Sequence, residues 1–263
     1  MTENVKGTAL ITGASSGLGA IYADRLARRG HDLIIVARNR ERLDEVAKKI
    51  RHETRRSVEV MVANLEQRDD VARVEAVLRS NQDISLLVNN AGVGAAAPLI
   101  DSDADAMAAM IEINVTALMR LTYAVVPSFV ARNAGTVINV ASVVAYWPEI
   151  LNGVYAGSKA FVAAFSQSLR HELAHTNVKV QVLVPGATAT GFWNAAGYAV
   201  TNLPSGSVMQ AEDAVDAALA GLDLGEFLTM PSLPRVEDWN SFEDARQKLI
   251  PGLSRDVPAE RYR

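Results

Sequence analysis

Tyr155 and Lys159, four positions apart in a sequence of 263 residues, are the first pair whose chemistry invites a mechanism. On a helix this spacing sets a phenol and an ammonium on one face. With six tyrosines in the chain, a Tyr-x-x-x-Lys arises by chance in about one such sequence in seven, so the spacing alone also fits an ordinary exposed pair. An unperturbed phenol has a pKa of roughly 10, and bringing it near neutrality takes about 4 kcal/mol in favour of the phenolate. An ammonium ~4 Å away supplies about that much at an effective dielectric near ~20. Tyr155 can then act as general acid or base. Ser142 stands at the end of a Val- and Ile-rich run, placed to hydrogen-bond a substrate oxygen where charge develops. It can equally cap a turn.

A second group could hold a phosphate. Thr12-Gly13-Ala14-Ser15-Ser16-Gly17-Leu18-Gly19 lies between an apolar run and a helical stretch. Glycines there let the backbone approach a pyrophosphate, which the following helix N-terminus faces. A glycine triplet is also a common tight turn, and its place after the first strand is what favours phosphate. In an NAD site an acidic residue about 20 positions on receives the ribose hydroxyls. Here the second run ends Ala37-Arg38-Asn39-Arg40. An arginine binds a 2′-phosphate that a carboxylate would repel, so NADP(H) is expected over NAD(H). The alternative, a solvated helix start, sets Arg38 and Arg40 against the helix dipole.

The elements that must position these groups follow from periodicity. Short Val/Ile/Leu runs alternate with helical stretches, the pattern of repeated βαβ units. Strands are expected at Thr8 to Thr12, Asp32 to Ala37, Ser57 to Val62, Ser85 to Asn89, Thr136 to Ala141, Lys179 to Val184 and Phe227 to Met230. These runs are almost continuously apolar, as in strands covered on both faces. The expected fold is α/β, a Rossmann-type doubly wound parallel sheet of seven strands with helices on both faces, in one domain over residues 1–263. Gly30 and Asn177 are expected to end helices, and Ser102 with Asp105 resembles a capping box. The helix near Val115 to Ala131 is apolar on almost every face, which suggests a subunit contact. Gly186 to Gln210 has no charged residue and reads as a substrate flap. From Pro251 the tail reads as irregular.

Composition excludes several classes. Hydrophobic residues make up 49% and charged residues 21% of the chain, enough apolar material for a core. A net charge of −4 and a pI near 5.6 offer no excess of cations for a nucleic-acid backbone or an anionic membrane. There is no cysteine, which removes thiolate chemistry and disulfides together. Met1 to Gly7 lacks an apolar h-region, and no continuous apolar run reaches the ~18 residues of a span. A cytoplasmic protein is the expectation.

Taken in order, Thr12 to Gly19, Asn89-Asn90-Ala91-Gly92, Asn114, Ser142, Tyr155 with Lys159, and Pro185-Gly186 with Thr188 and Thr190 resemble the short-chain dehydrogenase/reductase family in its compact form. The likeness spans nearly the whole chain. It implies a catalytic set of Asn114, Ser142, Tyr155 and Lys159. Tyr155 would exchange the proton, Ser142 polarise the carbonyl, Lys159 also hold the nicotinamide ribose, and Asn114 position a water in the relay. It further implies cofactor contacts from Gly13, Ser15, Ser16, Gly17, Leu18 and Gly19, from Arg38, and from Asn64 with Leu65. Asn90, Ala91 and Gly92 would shape the same pocket, and Pro185, Gly186, Thr188 and Thr190 would close it. One departure stands out: where the family usually has an acid to bind the adenine amino group, this chain has Asn64, whose amide oxygen can accept the same bond. The family often forms dimers or tetramers through the helices after the fourth and fifth strands, so a homodimer or homotetramer is expected.

A different class is represented by His171-Glu172-Leu173-Ala174-His175, a formal match to the zinc-protease pattern. A third ligand is missing from context, and His171 would lie about 18 Å along the helix from Lys159. No metal is therefore expected. The substrate walls should be Val93 to Ile100, Val143 to Val154 and the flap, since ligands bind beyond the C-terminal ends of parallel strands. Glu149 is the single charged group there. Trp147, Phe192, Trp193 and Tyr198 supply apolar area. The expected substrate is a neutral, moderately lipophilic ketone or aldehyde, or the matching alcohol; a 3-oxoacyl thioester is the alternative.

Overall fold

The computed structural model describes residues 6–198 and 200–263. Contacts divide the chain into two compact units, one up to Met230 and one from Pro231 to Arg263.

The first unit is built on a seven-stranded parallel sheet in the order β3-β2-β1-β4-β5-β6-β9. Its strands are β1 (Thr8–Thr12), β2 (Asp32–Ala37), β3 (Val58–Val62), β4 (Ile84–Asn89), β5 (Gly135–Val140), β6 (Val178–Leu183) and β9 (Leu228–Thr229). The expected doubly wound sheet is the one found. A further parallel pair joins β7 (Thr188–Ala189) to β8 (Met209–Gln210). The helices are α1 (Gly17–Arg28), α2 (Arg40–Thr54), α3 (Arg68–Ser80), α4 (Ala104–Ile111), α5 (Leu118–Ala131), α6 (Gly153–Glu172), the short α7 (Phe192–Ala195) and α8 (Ala211–Leu224).

Side chains alternate across each strand, and both faces are apolar. Ala9, Ile11, Leu33, Ile35, Leu86 and Val88 form one core with α1, α2 and α8. Leu10, Ile34, Val36, Leu87 and Val137 form another with α3, α5 and α6. This double covering is why the strands read as unbroken hydrophobic runs.

Helix ends follow the expected chemistry only in part. Gly30 follows the end of α1 in a left-handed conformation, with φ +97°, as expected. The cap of α4 is Asp103, whose side chain accepts from the Asp105 amide at 3.1 Å. Ser102 instead donates to the Pro98 carbonyl at 2.8 Å, so the proposed capping box does not form. Helix α6 stops at Glu172, and Asn177 serves the start of β6, its amide donating to Asn133 Oδ1 at 2.8 Å.

Between α4 and α5 the chain makes a π-helical turn, Glu112–Ala117. The combined helix Ala104–Ala131 is long and apolar enough to cross a membrane by length and composition alone. Leu118, Leu121, Ala124, Val125 and Phe129 are buried in the fold, which is how a core helix meets the same criterion.

The second unit holds α9 (Val236–Leu249), which has no buried residue, and two 3-10 turns, Ile250–Gly252 and Glu260–Tyr262. Trp239 and Phe242 pack with ring centroids 5.4 Å apart.

Candidate active site

Strand order reverses between β1 and β4, the point at which open α/β sheets bind ligands beyond their carboxyl ends. The glycine loop follows β1, Arg38 follows β2, Asn64 follows β3, Asn90 to Gly92 follow β4, Ser142 follows β5 and Pro185 follows β6. The carboxyl ends of the strands are thus where most of the expected residues stand.

Asn114, Ser142, Tyr155 and Lys159 are all buried. Tyr155 lies in the first turn of α6, started by Asn152, whose side chain accepts from the Val154 amide at 2.9 Å. The Ser142 side chain lies close enough to the Tyr155 hydroxyl to favour the phenolate. One turn later Lys159 sends Nζ to the Val140 carbonyl at 2.9 Å and stands 6.0 Å from the Tyr155 ring centroid. Burial pushes the Tyr155 phenol up to about 12, against the opposing effect of the nearby Ser142 side chain. Burial pushes the Lys159 ammonium down to about 8. The lowering of the phenol expected from Coulomb attraction alone is therefore reversed here, because both groups are desolvated and each is driven toward its neutral form.

Asn114 occupies the π-helical turn. Its Nδ2 donates to the Val93 carbonyl at 2.9 Å and to Ser158 Oγ at 3.0 Å, and its Oδ1 accepts from the Val93 amide at 2.9 Å. A π turn leaves the i to i−4 ladder locally out of register, a device frequent at functional sites. Gly92 lies beside both Asn114 Oδ1 and Lys159 Nζ.

The phosphate loop is clamped from behind. Asn90 Nδ2 donates to the Thr12 carbonyl at 2.9 Å, while the Asn90 and Ala91 amides both donate to Thr12 Oγ1 at 3.0 Å. A Cβ on Gly19 would collide with the Gly13 carbonyl, so only glycine permits this closed loop. Gly13 and Gly17 have positive φ, and Thr190 lies beside Gly17. Ser16 is the N-cap of α1 and its side chain makes no cap bond. Ser15 precedes it, partly buried, and Leu18 packs partly buried against the first core. This loop and helix start fit a dinucleotide pyrophosphate: close-packed backbone with a helix N-terminus behind it. Pro185 accepts from the Val143 amide at 3.0 Å, and Thr188 Oγ1 donates to the Gly186 carbonyl at 3.1 Å.

Beyond β2 and β3, Arg38 Nη1 donates to Glu66 Oε1 at 3.1 Å. Asn64 Oδ1 accepts from the Glu66 amide at 3.2 Å, and Leu65 is buried in the second core.

On the substrate side the four aromatic residues are placed differently. Phe192 packs on Tyr155, ring centroids 5.7 Å apart. Trp193 is buried, its Nε1 donating to the Thr188 carbonyl at 2.9 Å. Tyr198 packs on Trp193 at 6.1 Å between centroids, and Trp147 is 59% exposed. Around Tyr155 the buried Met110, Val144 and Ala156, with Val93, Ala95, Met107, Leu151, Val154 and Phe192, form an apolar cluster. Glu149 is exposed.

His171, Glu172 and His175 are exposed. Because α6 ends at Glu172, His175 does not stand one helical turn from His171 on a common face. Among the described residues no group of three or more His, Cys, Asp or Glu could hold a metal ion.

Three features escaped the sequence. Asn89 Nδ2 donates to Thr122 Oγ1 at 3.0 Å and to Asn139 Oδ1 at 2.9 Å, and Asn139 Nδ2 donates to Ser166 Oγ at 2.8 Å. This buried chain ties β4, β5, α5 and α6 together beneath the site. Ser158 braces Asn114. Gly94 receives the Phe192 ring, and a Cβ there would collide with Phe192 Cζ. A polar residue inside an apolar run, such as Asn139, was the one available signal.

Known proteins share this fold. A structure of a short-chain dehydrogenase from Sphingobium yanoikuyae in complex with NADPH superposes with a TM-score of 0.95 at 43% identity, covering 98% of this chain and 100% of that one. The bulky-bulky ketone specific alcohol dehydrogenase from Comamonas testosteroni gives 0.90 at 41% identity, over 97% and 98% of the two chains. The very-long-chain 3-oxoacyl-CoA reductase of Anas platyrhynchos is 35% identical over 187 residues, 69% of this chain and 60% of that protein. The family model for short chain dehydrogenase matches residues 7–199, and on that match and this likeness the chain belongs to the short-chain dehydrogenase family.

Proposed function

We propose that this protein is an NADP(H)-dependent oxidoreductase that reduces neutral, lipophilic ketones or aldehydes, or oxidises the matching alcohols. The carrying observation is the buried Tyr155, with Lys159 Nζ 6.0 Å from its ring, Ser142 and Asn114 buried with it, and an apolar cluster packed around it. The nicotinamide, when bound, supplies or takes up the hydride. Tyr155 delivers the proton to the substrate oxygen, and a phenol that burial keeps protonated is the form a general acid needs. Ser142 Oγ accepts weakly from the Val144 amide at 3.4 Å, which leaves its proton for the phenol or for a carbonyl oxygen. Lys159 holds positive charge near the phenol and the ribose, and Asn114 fixes the loop at Val93. Gly13, Ser15, Ser16, Gly17, Leu18 and Gly19, Asn90 to Gly92, Asn64 with Leu65, Tyr155 with Lys159, and Pro185, Gly186, Thr188 and Thr190 hold the cofactor, with Arg38 on the 2′-phosphate.

Neutrality of the substrate follows from the lining. Val93 to Ile100, Val143 to Val154 and Gly186 to Gln210 contain no Lys or Arg to pair with a carboxylate or phosphate, Lys159 is engaged with the Val140 carbonyl, and burying an unpaired charge among such walls is strongly unfavourable. The Comamonas enzyme's ketone specificity and the NADPH in the Sphingobium complex support this reading. The second reading, a 3-oxoacyl-thioester reductase, has the Anas relative in its favour.

We also propose a homodimer or homotetramer built on α5 and α6. Tyr123 is 69% exposed and stacks on Phe165, which stacks on Phe161. Gly157, Ala160 and Ala164 are exposed on the same helix as these phenylalanines, leaving an apolar face between two helices that a second copy would cover.

The test is a panel of aromatic, alicyclic, acidic and thioester-linked carbonyls assayed with NADPH. The highest kcat/KM is expected for neutral ketones with bulky substituents. A preference for acidic or thioester-linked substrates would replace this reading with the second.

A further inference from the structure

We infer that Glu66 sets the grip on NADP(H), acting as a built-in competitor for the arginine that meets the 2′-phosphate. The inference rests on the reading that Arg38 holds that phosphate. Ala37 and Val62 are register partners in β2 and β3, so the turns that follow these two strands leave the sheet side by side. Arg38 stands on one and Glu66 on the other, with Nη1 donating to Oε1 at 3.1 Å.

The position of Glu66 is built rather than incidental. Its amide donates to Asn64 Oδ1 at 3.2 Å, the Gln67 amide to the Asn64 carbonyl at 2.9 Å, and the Asn64 amide to Asp70 Oδ2 at 2.6 Å. The turn is thereby held at both ends. The Arg38 side chain is 61% exposed and that of Glu66 29%, so the carboxylate is the more enclosed partner.

A guanidinium presents donors in a fixed fork, and the edge committed to a carboxylate is not available to a phosphate. An exposed ion pair is weak, so phosphate can displace Glu66. Displacement does not remove the carboxylate charge, which then faces an incoming dianion across a few ångströms and repels it. NADH, which lacks the 2′-phosphate, meets no such repulsion. Glu66 therefore weakens NADP(H) selectively, and it does so without touching the reacting atoms.

Titration of NADPH and NADH by cofactor fluorescence tests this on the full chain, in the wild type and in Glu66→Gln, Arg38→Met and the double variant. Glu66→Gln keeps the side-chain shape and an acceptor for Arg38 but removes the charge. It should tighten NADPH about fivefold, leave NADH within about twofold, and lose most of this advantage at about 0.5 M salt. Arg38→Met should weaken NADPH alone, and in its background Glu66→Gln should have a smaller effect. Unchanged or weaker NADPH binding in Glu66→Gln, or an equal change for NADH, would overturn the role given to Glu66 while leaving Arg38 in place. An Arg38→Met variant that binds NADPH as well as the wild type would remove the phosphate reading and this inference with it.

Discussion

Lys159 Nζ donates to the Val140 carbonyl at 2.9 Å from a position so enclosed that burial holds its ammonium down to about 8. An unfolded chain keeps that proton up to roughly pH 10.4. Between about 8 and that value the unfolded state binds more protons than the native state, so stability rises with pH across this window. Below it the full burden of the buried cation is present, of order 3 kcal/mol. Replacing Lys159 by Met removes the burden and loses one hydrogen bond worth about 1 kcal/mol. We therefore expect Lys159→Met to melt several degrees above the wild type at neutral pH in the absence of cofactor. The gain should shrink steadily toward pH ~10, while turnover and cofactor binding are both damaged. Calorimetry across pH checks this, and a variant no more stable than wild type at neutral pH would contradict it.

The Phe192 ring sits on Gly94 and against Tyr155, so Gly94→Ala should drive the ring into the space a substrate needs. An approximately tenfold fall in kcat/KM with unchanged NADPH affinity is expected. Phe192→Ala should reverse most of that loss in the double variant and shift preference toward bulkier ketones. Steady-state kinetics on the four proteins of this cycle decide the matter. Additive losses in the double variant would show that the two residues are not coupled.

The strands were legible almost to the residue because each is apolar on both faces, which leaves one consistent reading. Tyr155 with Lys159 was read from spacing, Ser142 from its place at a strand end and Asn114 from the family resemblance alone, and the structure buries all four. What was not legible depends on three-dimensional proximity. Desolvation of Tyr155 and Lys159 reverses a shift reasoned from charge alone. The seat of Phe192 on Gly94 joins segments nearly a hundred positions apart in the chain, and nothing local marks either partner. The caps at Ser102 and Asn177 misled for a smaller reason: Ser, Asn and Asp serve turns as readily as helix ends, and Asp103 stood beside the expected cap.

The stacked Tyr123 and Phe165 give the proposed assembly a direct test. Tyr123→Glu would bury a carboxylate in an apolar contact and should convert the dimer or tetramer to monomer, read by light scattering after size exclusion. An unchanged mass would move the interface elsewhere.

The central claim is that Tyr155 passes the proton to the substrate oxygen. Its most direct measurement compares wild type with Tyr155→Phe, following NADPH oxidation with the best ketone of the panel and NADPH binding by fluorescence. The substitution keeps the ring that packs on Phe192 and removes only the hydroxyl. We expect kcat to fall by about a thousandfold or more with the NADPH Kd within about twofold of wild type. A Tyr155→Phe protein that kept more than a few per cent of wild-type kcat would contradict the assignment.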